Sequence, residues 1–203
     1  MNAPHRQALK RCSWADIADV EYQRYHDEEW GVPITDDRAL FEKLSLEGFQ
    51  AGLSWLTILR KRSNFRRAFA DFEPERVARF GPRDVARLMK DEGIVRNRAK
   101  IEATIGNAKA YARLTERTSL SDFLWGFLET GSIQNRYKTM EDIPAETELS
   151  RRMSKALKGK GFRFVGPTTL YAFMQSVGMV NDHLVDCHRH TPCAKLQRAR
   201  AKL

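Results

Sequence analysis

Cysteine is scarce in this chain. Three residues in 203 make an odd number that supports no disulfide framework and leaves metal binding or core packing as uses for the thiols. Any apolar run long enough to span a bilayer is missing too, and the N-terminus Met1-Asn2-Ala3-Pro4-His5-Arg6-Gln7 lacks the apolar core of a signal peptide. A cytoplasmic protein without membrane contact is therefore expected. No stretch alternates apolar and polar residues with strand period, and no repeat or low-complexity block occurs. These absences exclude disulfide-stapled, membrane-spanning and solenoid architectures and leave an all-α fold. Acidic residues are missing from two segments. One lies between Glu148 and Asp182 and holds Arg151, Arg152, Lys155, Lys158, Lys160 and Arg163; the other follows Asp186 and holds Arg189, Lys195, Arg198, Arg200 and Lys202. With a net charge of +9 and a pI near 9.7, this one-signed distribution points to a polyanionic partner, nucleic acid in particular. A solvated basic face is the alternative.

Charged residues at 30% and aromatics at 10% describe a folded chain, suited to one compact unit or two small lobes sharing a cleft. Residues 1–10 and 194–203 read as loose. Thr35-Asp36-Asp37 supplies a cap and first-turn acids for a helix carrying Leu40, Phe41 and Leu44 inward, and Arg60-Lys61-Arg62 reads as a cationic helix end. Short helices open at Glu73-Pro74 and Gly81-Pro82. Ile101, Ile105, Ala108 and Ala112 form the inward stripe of another helix, and residues 122–128 form a further one. Residues 131–144 are expected to be the main connecting loop, and residues 146–158 and 168–177 two more helices, for about seven to nine in all.

The stretch Leu46-Glu47-Gly48-Phe49-Gln50-Ala51-Gly52-Leu53-Ser54-Trp55 sets one carboxylate in an otherwise uncharged, helix-compatible segment. If the helix is continuous, Glu47, Ala51 and Trp55 share a face, its ends about 12 Å apart, with a small residue leaving open volume between them. The glycines at 48 and 52 bend or interrupt it. A buried carboxylate must find donors or lose its charge, so either protein groups satisfy Glu47 or a ligand with N–H donors does.

Three further groups could carry chemistry. Residues 157–170 place a glycine-bounded turn between two helices inside a basic stretch. Such a turn aims backbone N–H groups and a helix dipole at phosphate oxygens, as in the helix-hairpin-helix motif. Cys12, His26, His183 and Cys187 make a Cys2His2 set able to hold zinc and tie the two ends of the chain, with His188, His190 and Cys193 equally available as ligands. Trp14, Tyr22, Tyr25, Trp30 and Trp55 are rings that would stack on an extruded purine beside Glu47, core packing being the default for any one of them.

Cys-Ser-Trp at 12–14, Tyr-His-Asp-Glu-Glu-Trp-Gly-Val-Pro at 25–33, the segment 46–55, Gly-Phe-Arg-Phe-Val-Gly at 161–166 and Val-Asn-Asp-His at 180–183 together resemble the 3-methyladenine DNA glycosylase I family, from about Cys12 to Cys187. The resemblance implies a single DNA glycosylase unit with the helix-hairpin-helix glycosylase fold: two helical lobes around a cleft, a hairpin over about 150–177, and a structural zinc tying the N- and C-terminal segments. The implied activity is hydrolytic excision of 3-methyladenine from alkylated double-stranded DNA in base excision repair, with free 3-methyladenine as product and a monomeric enzyme. The zinc ligands would be Cys12, His26, His183 and Cys187. Glu47 would be the catalytic, base-contacting carboxylate, with Tyr25, Trp14 and Trp55 around the base and Tyr22 nearby. Leu53 is the candidate wedge for the vacated base stack, while Lys160, Gly161, Arg163 and Gly166 would meet the DNA backbone. Thr168 stands where strand-cutting relatives of this hairpin carry a lysine, which favours a monofunctional hydrolase. Asp182 and Asp186 lie where other hairpin glycosylases place a catalytic aspartate, a position the family resembled here leaves without one.

Overall fold

The structure, a computed structural model, describes residues 9–15 and 18–200; of the segments expected to be loose, 1–10 and 194–203, residues 1–8 and 201–203 lie outside that range. Its organising element is α2 (Asp37–Gln50). Leu40, Phe41, Lys43, Leu44, Ser45, Leu46, Glu47, Gly48 and Phe49 are all buried, on every side of the helix. A helix covered all round must be central, and this one packs against α3 (Trp55–Ala68), α6 (Arg98–Thr115), α7 (Leu120–Trp125) and α9 (Pro167–Ser176). Asp36 caps it by accepting from the Ala39 N–H at 2.8 Å. Asp37 serves another helix instead, accepting from the backbone of Leu120 at 2.9 Å and of Ser121 at 2.8 Å at the start of α7 (Leu120–Trp125).

Around this axis run α1 (Val20–Arg24) with a wide π-type turn over Tyr25–Glu29, α3 (Trp55–Ala68), α4 (Pro74–Val77), α5 (Pro82–Lys90), α6 (Arg98–Thr115), α8 (Glu148–Gly159), α9 (Pro167–Ser176) and α10 (His190–Arg200). Three expectations are corrected here. Arg60-Lys61-Arg62 does not end α3, which continues to Ala68 because its arginines reach acids on other segments: Arg60 pairs with Asp19, Arg62 with Glu29 and Arg66 with Glu42. The described part of the basic tail is helical, with Cys193 and Gln197 buried; Gln197 Nε2 donates to the Gly31 carbonyl at 2.8 Å. The all-α reading omits a small parallel pair, β1 (Ile133–Gln134) with β2 (Val180–Asn181). At two residues each, these strands are too short to show any period.

The described apolar residues form two clusters. The larger spans α2 to α9. The smaller holds Cys12, Tyr25, Trp30, Leu59, Leu184 and Cys187, with Trp14, Tyr22 and Trp55 against it, so the N-terminal segment is fastened to residues that come near the end of the chain. In the α8–α9 hairpin, Gly161 turns the chain at φ +92, a left-handed value that glycine adopts without strain. Gly48 lets α2 approach that turn, since a Cβ there would lie 3.3 Å from the Phe164 side chain.

Candidate active site and metal centre

The helix is interrupted between Glu47 and Trp55. α2 ends at Gln50, Gly52 takes φ +81, and Ser54 caps α3 through the Thr57 N–H at 3.2 Å. The single continuous face expected for Glu47, Ala51 and Trp55 is therefore not formed; two helices meeting at a sharp turn bring the carboxylate and the indole to one cavity instead. That cavity, of about 180 Å³, is lined by Trp14, Tyr22, Tyr25, Trp30, Glu47, Gln50, Trp55, Met140, Ile143, Ala172 and Gln175. It is smaller than the roughly 300–1,000 Å³ of sites for drug-sized ligands, and its flanking rings suit one flat heterocycle. Tyr25 and Trp55 have centroids 5.3 Å apart, and Trp14 lies 5.0 Å from Tyr22 and 5.1 Å from Trp30.

Glu47 is 3% exposed. Burial pushes its carboxyl up to about 7, opposed by the charge of Lys43 and a hydrogen bond with Ser176. Among the described residues no arginine forms an ion pair with it, so the carboxylate keeps acceptor capacity toward the cavity. The Trp55 indole N–H is buried with no hydrogen-bond partner among the described residues. A carboxylate acceptor thus borders an aromatic slot, the pattern of a site whose polar group awaits a ligand.

Leu53 follows directly. Its N–H donates to the Gln50 carbonyl at 2.6 Å, its own carbonyl accepts from Gln50 Nε2 at 2.9 Å, and its side chain is exposed. Lys100 pins this loop from inside, donating to the Phe49 carbonyl at 2.8 Å and the Ala51 carbonyl at 2.6 Å. An ammonium at the C-terminus of α2 satisfies carbonyls the helix leaves open and complements its dipole.

The hairpin residues Lys160, Gly161, Arg163 and Gly166 lie away from the cavity lining, and Lys160, Gly161 and Arg163 are exposed. The backbone of Arg163 is occupied, its N–H donating to Asn107 Oδ1 at 2.7 Å and its carbonyl accepting from Asn107 Nδ2 at 3.0 Å. Backbone donors for an anion are therefore those of the first turn of α9, beside Gly166, rather than the turn itself.

The four metal-candidate residues converge, all buried, with ligand atoms within 4.8 Å of one another. Cys12 Sγ is 3.7 Å from His183 Nδ1, Cys187 Sγ is 3.6 Å from the same atom, and Cys187 Sγ is 3.5 Å from His26 Nε2. The S···N edge of a tetrahedral zinc site is about 3.6 Å, given bonds of about 2.3 and 2.05 Å. The remaining ring nitrogens are fixed from behind: His26 Nδ1 lies 2.8 Å from Asp27 Oδ1, and His183 Nε2 lies 3.1 Å from the Trp30 carbonyl. Backbone N–H groups of Leu184 and Arg189 also point at the two sulfurs, each at 3.4 Å. The donor set fits a structural zinc. Of the alternatives, His188 and His190 are engaged with backbone carbonyls of Lys10 and Asn135.

Asp182 is buried and committed, accepting from Tyr171 Oη at 2.7 Å, Gln175 Nε2 at 2.8 Å and Asn135 Nδ2 at 2.7 Å. It steadies Gln175 at the cavity wall. Asp186 is exposed and pairs with Lys10. Sequence reasoning missed Gln50, Met140, Ile143, Ala172 and Gln175 as lining residues, and Lys43 as the charge beside Glu47. Ala172 and Gln175 sit three apart on α9, off its Leu170, Phe173, Met174 stripe, a spacing that could have marked a second face.

A profile of the methyladenine glycosylase family matches residues 14–190. The chain is 48% identical over 180 residues to DNA-3-methyladenine glycosylase 1 of Escherichia coli (strain K12), covering 88% of this chain and 96% of that protein. A crystal structure of 3-methyladenine DNA glycosylase I matches with a TM-score of 0.87 at 46% identity, over 89% of this chain and 100% of that one. Another crystal structure of a 3-methyladenine DNA glycosylase I, in complex with 3-methyladenine, matches with a TM-score of 0.85 at 38% identity, over 89% of this chain and 97% of that one.

Proposed function

The chain belongs to the methyladenine glycosylase family, and from that premise we propose that it excises 3-methyladenine from alkylated DNA by hydrolysing the N-glycosidic bond of a base swung into the cavity beside Glu47. One observation carries this assignment of the site: a carboxylate 3% exposed borders an open slot walled by tryptophan and tyrosine rings. A purine methylated at N3 is cationic, so an anionic acceptor and aromatic faces favour it over neutral adenine. Glu47 accepts from the exocyclic amine, Trp14, Tyr25 and Trp55 stack around the base, and Tyr22 closes the rim.

Methylation has already made the base a good leaving group. When the C1′–N9 bond breaks, its electron pair neutralises the cationic purine and no proton is needed. Water then adds to C1′ and loses a proton. The protein contributes extrusion, positioning and electrostatic support of the oxocarbenium-like sugar rather than a strong general acid. Leu53 enters the vacated stack, and the α8–α9 segment, read as a helix-hairpin-helix, grips the backbone through the side chains of Lys160 and Arg163 and the N–H groups of the first turn of α9 beside Gly166, with Gly161 shaping the turn between them. Cys12, His26, His183 and Cys187 would hold a structural zinc, which supplies a cross-link between the two ends of the chain and no step of the reaction. The reading extends to a cytoplasmic monomer without strand-cutting activity.

The test is release of free 3-methyladenine from alkylated duplex DNA by the wild type, Glu47→Gln and Trp55→Ala. Loss on the order of 10²-fold in either variant is expected. Full activity in both would remove this cavity as the site.

A further inference from the structure

Lys43 lies one helical turn before Glu47 on α2 and is 6% exposed. A buried ammonium is costly unless paired, yet among the described residues no carboxylate forms an ion pair with it. Its Nζ donates to Tyr25 Oη at 3.4 Å and stands 4.5 Å over the Tyr25 ring and 5.3 Å over the Trp55 ring. Those two rings wall the cavity. An apolar side chain of the same length would fill this position without the desolvation cost, so the charge itself calls for a role.

Glu47 lines the cavity and Lys43 does not. An incoming base therefore meets the anion directly and the cation only across the rings. We propose that Lys43 is a positioning residue for Glu47: its ammonium, held against Tyr25 and Trp55, keeps the neighbouring carboxylate anionic near neutral pH, the state in which it attracts a cationic purine. The proposal rests on Glu47 being the base-contacting carboxylate.

Other groups facing the pair leave Lys43 as its main electrostatic control. Glu29 and Arg62, from the turn after α1 and from α3, are tied to each other, with Arg62 Nη2 donating to Glu29 Oε1 at 2.8 Å. Glu42 acts on Lys43 from the same helix, Tyr25 comes from the turn after α1, and Ser176 reaches Glu47 from α9. Burial pushes the Glu47 carboxyl up to about 7 and pulls Lys43 down to about 8. Each opposes the other's loss of charge. Among the described residues Lys43 is the cation that holds Glu47 down, and replacing it by an apolar residue removes that hold.

The experiment is a 13C NMR titration of the Glu47 side-chain carboxyl in the wild type, Lys43→Met and Lys43→Arg, with kcat/KM for base excision measured over the same pH range. In Lys43→Met the carboxyl midpoint is expected to rise by about one to two pH units, the effect of one charge a helical turn away at an effective dielectric constant of about 20. The acid limb of kcat/KM should move with it, and Lys43→Arg should restore both. If methionine disrupts α2, Lys43→Gln repeats the test with a polar neutral side chain. An unmoved midpoint, or an equal rise in Lys43→Arg, overturns the proposal. A midpoint that moves while the rate profile stays still upholds the coupling of the two charges and instead removes Glu47 from the reaction.

Discussion

Glu47→Gln should make this protein more stable while it lowers excision on the order of 10²-fold. A carboxyl moved from 4.5 to about 7 carries a penalty of about 3 kcal/mol once ionised. Because the group is 3% exposed, solvent screening removes little of it. Glutamine has the same shape and no charge to desolvate. The attraction to Lys43 is already contained in that value, so a gain of about 3 kcal/mol at pH 8 is expected. For a chain of this size that corresponds to a rise in Tm of about 6–12 °C. The pH dependence is the sharper signature. An acid whose folded pKa is raised contributes stability that is fully present below 4.5 and is lost as pH rises through about 7. The advantage of the glutamine variant should therefore be small near pH 5 and complete near pH 8. Thermal melts of both proteins at the two pH values decide the matter. Equal melting at pH 8, or a gain independent of pH, would show that the carboxylate is satisfied in the free protein and that the cavity imposes no cost a ligand could relieve.

Two further outcomes follow from the same geometry. Zinc should be present at a 1:1 ratio and be lost in Cys12→Ser and in Cys187→Ser, with Tm falling by more than about 10 °C; metal analysis showing unchanged zinc in either variant would move the ligands toward His188, His190 or Cys193. Leu53→Ala should leave folding and affinity for free 3-methyladenine unchanged, because the side chain is exposed, while lowering kcat/KM on duplex DNA about tenfold. A loss of free-base affinity equal to the loss on duplex would place Leu53 in the pocket and end its role as wedge.

Much of this molecule can be read from residues in order, and the exceptions share a cause. Asp36 as a cap, Leu40 and Phe41 as core, and Cys12, His26, His183 and Cys187 as a convergent set are local or chemical signals that survive folding. Met140 and Ile143 give no such signal, because they reach the cavity from an aperiodic loop whose path depends on Ile133 and Gln134 pairing with β2. Arg60-Lys61-Arg62 misleads for a related reason: a cationic triplet ends a helix only when nothing distant neutralises it, and here Asp19 and Glu29 do. Lys43 is invisible because charge on a mainly apolar helix reads as an exposed position, whereas the rings of Tyr25 and Trp55 cover it. Burial by partners distant in sequence is what local pattern leaves out.

The break at residues 51–54 shows why one such distant contact matters for chemistry. A straight helix through Trp55 would carry Leu53 about 240° round the axis from Glu47 on the continuation of a rod that is buried on every side, which leaves no turn from which a wedge could project. Gly52 at φ +81 ends α2 and permits the reversal, but a glycine also frees the loop to move. Lys100, from α6, removes that freedom by bonding the carbonyls of Phe49 and Ala51 on either side of Gln50. The loop that projects Leu53 is thereby fastened to the helix that holds Glu47. In the proposed reaction, displacement of a base by the wedge and its reception by the carboxylate would then be geometrically linked, so Lys100→Met should lower excision from duplex DNA more than it lowers affinity for the free base. Parallel measurement of the two quantities tests that link, and equal losses would show that Lys100 serves only the packing of α2.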